Sequence, residues 1–144
     1  MRLIFAIFAL LSAFTTVAQP QLECWTAGST VTKAEVEQLG VDNCFKVCDI
    51  DDKTFARMQG KSYKAECTIP LSELRYIKAL HVTQDGVILL GEMVVNRAIA
   101  QDVVAILRRL YEAGYPIERM VLVDEYNADD ETSMRANNSS AFNY

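Results

Sequence analysis

Two strand-forming runs separated by a short turn are the feature that most limits what this chain can fold into. Residues 76–82 and 87–95 are rich in β-branched and aliphatic side chains, and the connection between them ends in Asp85 and Gly86. An Asp-Gly pair favours a tight turn with positive φ, which joins neighbouring antiparallel strands. The pattern predicts a β-hairpin at the centre of the fold.

An amphipathic helix is predicted directly after the hairpin. Asn96 can cap a helix over residues 97–113, Gly114 would end it, and Pro116 bars its continuation. The apolar residues of this segment recur at helical spacing, at Ile99, Val103, Ile106 and Leu110. Val104, Leu107 and Tyr111 flank this stripe, so the predicted helix carries apolar residues on two adjacent faces.

The remaining patterns are shorter. Residues 120–123 are an apolar run that predicts a buried strand laid back against the helix. Thr32 and Glu35 have the spacing of a capping box, with Gly40 ending a short helix, whereas residues 53–70 are irregular or partly helical. The fold class predicted is α+β, with an antiparallel hairpin and a short strand packed on one main amphipathic helix.

The first residues predict export. Met1 and Arg2 supply a short positive region, residues 3–14 are apolar but too few to span a bilayer comfortably, and Thr16 and Ala18 are small residues at the positions a signal peptidase reads. We expect residues 1–18 to be a signal peptide, leaving a periplasmic or extracellular single domain with no stable membrane anchor.

Export changes the meaning of the cysteines. Disulfides are the default in an oxidising compartment, and the sequence leaves all three possible pairings of Cys24, Cys44, Cys48 and Cys67 open. A four-thiolate zinc site is the alternative, but only two of these cysteines are close in sequence. The net charge of −5 gives no long-range attraction for nucleic acid, which is not an expected partner.

Catalytic and metal-binding patterns are weak in this sequence. The single histidine, His81, lies in a strand-forming run, so a structural or solvent-facing role is expected. The acidic residues between 124 and 131 lack the glycine and spacing of common calcium loops, which favours a solvated loop over a calcium site. The serines at 133, 139 and 140 have no base placed by a motif.

A series of short matches in one order connects the chain to a known family. The matching residues are 55–63 (with Arg57-Met58 and Gly60-Lys61-Ser62), Leu74-Arg75-Tyr76, Gly91-Glu92-Met93-Val94-Val95-Asn96, Ile99-Ala100, Leu110-Tyr111-Glu112-Ala113, Tyr115-Pro116-Ile117-Glu118, 124–130, Ser133-Met134 and 137–144. Over residues 50–144 the chain resembles the N-terminal half of bacterial zinc peptidases related to D-alanyl-D-alanine carboxypeptidases and L-alanyl-D-glutamate endopeptidases. Those enzymes cut the peptide stems of the cell wall.

The resemblance implies a division of the chain and a ligand. Residues 19–52 would be a cysteine-containing N-terminal segment, and residues 53–144 the incomplete first half of a D,D-peptidase-like fold. Stem peptides of peptidoglycan would be the partner. The candidate substrate contacts, which border the family's cleft, are Ser133, Asn138, Ser140, Phe142, Asn143 and Tyr144.

The family's catalytic residues would follow Tyr144. In relatives the Phe-Asn-Tyr motif is followed by a substrate-contacting arginine, then by Ser-x-His-x-x-Gly-x-Ala-x-Asp and a second metal-binding histidine. The resemblance therefore implies zinc in full-length relatives, but no metal ligand and no catalytic residue in this chain. The expectation is an inactive half of a peptidase, from a truncated gene or a longer chain; the alternative is a non-catalytic protein that binds cell-wall peptides.

Overall fold

A three-stranded antiparallel sheet forms the centre of the molecule. The computed structural model describes residues 25–144, so the predicted signal peptide and Cys24 lie outside the described residues. The strands are β1 (Lys46–Cys48), β2 (Leu74–Val82) and β3 (Ile88–Asn96), in the spatial order β1-β2-β3. Mixed helices and an antiparallel sheet confirm the α+β class.

Strands β2 and β3 form the predicted hairpin. Their ladder extends from Leu74 opposite Asn96 to Val82 opposite Ile88. Gly86 adopts φ +77° in the connection, a conformation that costs little without a Cβ atom. The Asp-Gly signal therefore located this turn correctly.

The helices also follow local signals. α1 (Lys33–Leu39) begins with the complete capping box of Thr32 and Glu35, and α2 (Asp52–Met58) is capped by Asp51. Asn96 caps a 3-10 turn, Arg97–Ile99, which leads into α3 (Ala100–Glu112). α4 (Asp130–Arg135) follows the acidic loop. The predicted capping box and main helix are confirmed, with the first turn of the latter tighter than an α-helix. Its predicted apolar stripe is partly wrong, because Ile99 and Ile106 are exposed and the helix buries Ala100 and Leu107.

The apolar run at residues 120–123 is buried but forms no regular strand, which corrects the sequence prediction. Its four side chains are at most 8% exposed. Asn138 accepts a hydrogen bond from Val121 N at 2.9 Å and donates one to Val121 O at 3.0 Å. Because Asn138 pairs with both backbone groups of Val121 and only Met120 O bonds to the β3 backbone, this run is satisfied without a regular strand ladder. The third strand of the sheet is instead β1, which pairs with β2.

The outer edge of β3 is covered by three separate segments. Ser29 O accepts from Leu90 N at 2.9 Å, Met120 O accepts from Glu92 N at 2.9 Å, and Phe142 N donates to Val94 O at 3.1 Å. Exposed edges invite pairing with other chains. Residues distant in sequence therefore close this edge along much of its length.

Buried residues form two clusters that share the sheet. The first contains Ile77 and Val95 with residues of α1 and α3, and the second contains Tyr76 and Val94 with Met58 of α2. Neighbouring residues of a strand point to opposite faces. At these positions, therefore, each face of the hairpin packs against its own hydrophobic cluster.

Candidate functional site

Two of the predicted substrate-binding residues hold the fold together. Ser133 is only 3% exposed, and its Oγ accepts a hydrogen bond from Asn138 Nδ2 at 3.0 Å. The same Asn138 amide holds both backbone groups of Val121. These contacts give both side chains a structural role, although binding of a substrate by either is a prediction that no contact tests.

The remaining four residues lie within residues 139–144, which form no helix or strand. The Phe142 ring packs on the second cluster beside Tyr63, with ring centroids 6.1 Å apart. Asn143 Nδ2 donates to Ala128 O at 3.1 Å and to Asp130 at 2.8 Å. Ser140 and Tyr144 are exposed. The structure thus brings Ser140, Asn143 and Tyr144 to the surface next to an anchored phenylalanine.

The acidic residues from 124 to 131 are divided among separate structural contacts. Asp124 is 2% exposed and accepts from Ser62 N at 3.0 Å and Ser62 Oγ at 2.9 Å. Asp129 caps α4 by accepting from Thr132 N at 2.7 Å. The two carboxylates accept from different donors. Asp124 therefore joins the loop to the Gly60-Lys61-Ser62 motif, and Asp129 joins it to α4.

A buried glutamate at the middle of β3 organises the polar interior. Glu92 is 1% exposed and accepts hydrogen bonds from both terminal nitrogens of Arg57, at 2.9 and 2.5 Å. Tyr76 Oη donates to it at 2.5 Å and Leu122 N at 3.3 Å. A buried carboxylate requires this degree of compensation. The network ties α2, both hairpin strands and the run at 120–123 to one charge.

The charge states in this network follow from its contacts. Burial opposes ionisation of Glu92, but the hydrogen bonds from Arg57 and Tyr76 and the charge of Arg57 outweigh it and lower the pKa of the carboxyl group. The hydrogen bond to Glu92 raises the pKa of Arg57, while burial and the charge of Glu92 raise the pKa of Tyr76. The pair is therefore ionised and the tyrosine neutral at pH 7.

A cavity of about 580 Å³ opens beside this network. Arg57 contributes a charged wall and also donates to Glu125 Oε1 at 2.8 Å. Trp25 and Val121 supply apolar wall, and the exposed Arg119 adds a second arginine to the lining. Cavities of this size with a few converging polar groups are the usual form of small-molecule sites.

Sequence reasoning missed this cavity. Arg57 and Glu92 are 35 residues apart, and Arg57 and Glu125 are 68 apart, so no local motif joins them. The available signal was one acidic residue, Glu92, inside an otherwise apolar strand. A charge in such a place is almost always paired when it is buried.

The single histidine is buried, so the solvent-facing role expected as one of two options is excluded. His81 is 1% exposed and its Nδ1–H donates to Ile117 O at 2.7 Å, while Nε2 has no partner among the described residues. Burial lowers the pKa of His81, and the Ile117 carbonyl and Glu118 only partly oppose that effect. The imidazole is therefore neutral at pH 7. It packs against Gly91, where an added Cβ would lie 2.9 Å from the ring.

No disulfide joins the three cysteines that the structure describes, Cys44, Cys48 and Cys67. Cys44 is buried in the first cluster, while Cys24 lies outside the described residues. Disulfide pairing stays a prediction. Within residues 25–144, no three His, Cys, Asp or Glu side chains form a group able to hold a metal ion.

Comparison with known proteins identifies no relative. No protein-family model, no curated protein and no solved structure matches the chain. In the part of the chain that the structure describes, no helix is long and apolar enough to cross a membrane.

Proposed function

We propose that this chain is exported and that residues 53–144 are the first half of a cell-wall zinc peptidase domain, inactive by itself, in which residues 139–144 contribute contacts to peptide stems. The proposal rests on the ordered sequence motifs that resemble that family. The observed α+β fold is compatible with it. Zinc and the reacting groups would come from the family's second half.

The observation that carries the proposal is how residues 139–144 are held. Ser139 N donates to Arg119 O at 2.9 Å, Phe142 N to Val94 O at 3.1 Å, and Tyr144 N to Ser62 O at 3.0 Å. Three backbone hydrogen bonds within six residues hold this segment on the domain before a ligand arrives, which lowers the entropic cost of binding. The exposed hydroxyls of Ser140 and Tyr144 can donate to and accept from a peptide backbone, and Asn143 Oδ1 can accept, since Asn143 Nδ2 already donates to Ala128 O and Asp130.

The described residues do not fit a catalytic zinc. A hydrolytic site needs three protein ligands and an open position, at which zinc activates water. His81, the only histidine, is buried and donates to a backbone carbonyl. In this proposal the chain's own residues therefore bind and orient a peptide, and no hydrolytic step is assigned to them.

Binding can be tested with a synthetic stem peptide in an NMR titration of the purified protein. We expect saturable shifts at Ser140, Asn143 and Tyr144, and an Asn143→Ala variant that binds several-fold more weakly. Asn43→Ala is the matched control, since Asn43 is also exposed and also donates to a backbone carbonyl, that of Leu39. Equal loss in both variants, or shifts confined to other surfaces, would refute peptide binding by this segment.

The peptidase relationship is tested by fusion. Joining the second half of a family member directly after Tyr144 should give zinc-dependent cleavage of cell-wall peptides, because that half would bring the ligands. The unfused chain should show none. A folded, zinc-loaded fusion that binds peptide but does not cleave it would favour the alternative, a binding protein that only resembles the peptidases.

A further inference from the structure

We infer that the cavity beside Arg57 binds a small organic carboxylate, whose place is taken by Glu125 when no ligand is present. This site does not depend on the peptidase proposal, because the cavity residues differ from the surface segment proposed to hold peptide stems. The two experiments can therefore fail separately.

The shape of the cavity suits a ligand with one charged end. Its volume of about 580 Å³ lies within the usual range for small-molecule sites. Trp25 and Val121 line it with apolar surface, and Arg57, Arg119 and Glu125 line it with charge. A ligand with an apolar part and a carboxylate matches both kinds of lining.

The charges favour an anionic ligand over a cationic one. Glu92 accepts four hydrogen bonds from protein groups, so its charge is already committed. Arg119 has no salt bridge among the described residues. If Glu125 turns away, the cavity holds two guanidinium groups, from Arg57 and Arg119, against one satisfied carboxylate. The carboxylate of a bound ligand would then bring the net charge of these groups back to zero.

The Arg57–Glu125 contact is easily replaced. Glu125 has 53% of its side chain exposed and touches a single terminal nitrogen of Arg57, at 2.8 Å. Exposed ion pairs of this kind contribute about 0–1 kcal/mol. Arg57 itself stays in place, because Glu92 binds it through both terminal nitrogens. A ligand carboxylate can therefore take the position of Glu125 without disturbing the buried pair.

Benzoate and benzamide are the matched probes, since they share size and shape and differ in charge. The indole N–H of Trp25 is the reporter in an NMR titration of the purified protein, because Trp25 is the only tryptophan and its Nε1 donates to Gly91 O at the cavity wall. We expect benzoate to shift this signal saturably and benzamide to leave it unchanged.

Variants test the displaced glutamate. Glu125→Gln should strengthen benzoate binding about threefold, since the competing carboxylate is gone. Arg119→Gln should weaken it about fivefold by removing a charged donor. The control is Glu112→Gln, because Glu112 is 52% exposed and also bonds an arginine at 2.8 Å but lies outside the cavity.

Each result has one meaning, once far-UV circular dichroism shows that the variants are folded. A stronger Glu125→Gln variant, a weaker Arg119→Gln variant and an unchanged Glu112→Gln variant support the site. Equal binding of benzoate and benzamide overturns carboxylate recognition. Absence of binding in Glu125→Gln, an equal gain in Glu112→Gln, or shifts that leave Trp25 unmoved also overturn it.

Discussion

Glu92 shows how one residue can connect distant parts of a chain. It lies between apolar neighbours in β3, yet its carboxylate accepts from α2, β2 and the run at 120–123. Breaking a buried ion pair by removing one charge leaves the partner uncompensated. The contribution of Glu92 is therefore best measured against that of an exposed glutamate on the same arginine.

We predict that Glu92→Gln lowers the free energy of unfolding by about 2–4 kcal/mol, through weakened charged hydrogen bonds and a less compensated Arg57. Glu125→Gln, which removes the other carboxylate on Arg57, should change it by at most about 1 kcal/mol. Urea denaturation of both variants measures the difference. Equal effects of the two variants would show that burial of the Arg57–Glu92 pair adds nothing to the free energy of unfolding.

His81 should make stability depend on pH in a separate window. Its folded pKa is lowered by burial from an unfolded value of about 6.5, so below that pH the unfolded chain binds more protons. The free energy of unfolding should then fall as pH drops from 7 toward 5, by at most about 1.4 kcal/mol per pH unit. The lowered pKa of Glu92 acts in the same direction, but only below about pH 4.3.

The His81→Asn variant separates this effect from other titrations, since an amide can still donate to Ile117 O but does not titrate. Its unfolding free energy should fall less between pH 7 and 5 than that of the parent protein. Chemical denaturation at each pH provides the measurement. Parallel curves for the two proteins would mean that His81 takes no part.

Local chemistry decides the elements that the sequence could predict. The capping box at Thr32, the Asp85-Gly86 turn and the Asn96 cap each act within a few residues, and each is found where expected. The strand predicted at residues 120–123 does not form, because the hydrogen-bond partners of this run come from distant parts of the chain. The amide of Asn138 and the carboxylate of Glu92 replace the strand that the apolar pattern predicted.

Asn138 should accordingly decide whether this run stays ordered. Asn138→Ala leaves the backbone N–H and C=O of Val121 without their partner, and we expect a loss of about 2–3 kcal/mol. Hydrogen exchange at the Val121 amide should accelerate. Asn143→Ala serves as the control, because Asn143 is exposed and bonds only the acidic loop. Unchanged exchange at Val121 would show that its burial alone is sufficient.

At the scale of the whole molecule, the two faces of the hairpin share one backbone. Tyr76 and Ile77 are neighbours in β2 but belong to different clusters, as do Val94 and Val95 in β3. Sequence patterns predicted strands β2 and β3 but not this division, because the second cluster is completed by Met58 and Phe142, which come from opposite ends of the domain. The cavity at Arg57 escaped prediction for the same reason.

Shared strands predict a single cooperative unfolding transition. Met58 is fully buried in the second cluster, so Met58→Ala should cost about 2–5 kcal/mol. Trp25 packs on the first cluster and reports on it by fluorescence. If the clusters unfold together, the Trp25 transition should shift by the full amount, and far-UV circular dichroism should shift with it. Met134→Ala is the matched control, since Met134 is 72% exposed and should shift neither signal.

The contrary outcome is a Trp25 transition that does not shift in Met58→Ala while circular dichroism shows an earlier loss of structure. That outcome would mean that each face of the sheet unfolds independently.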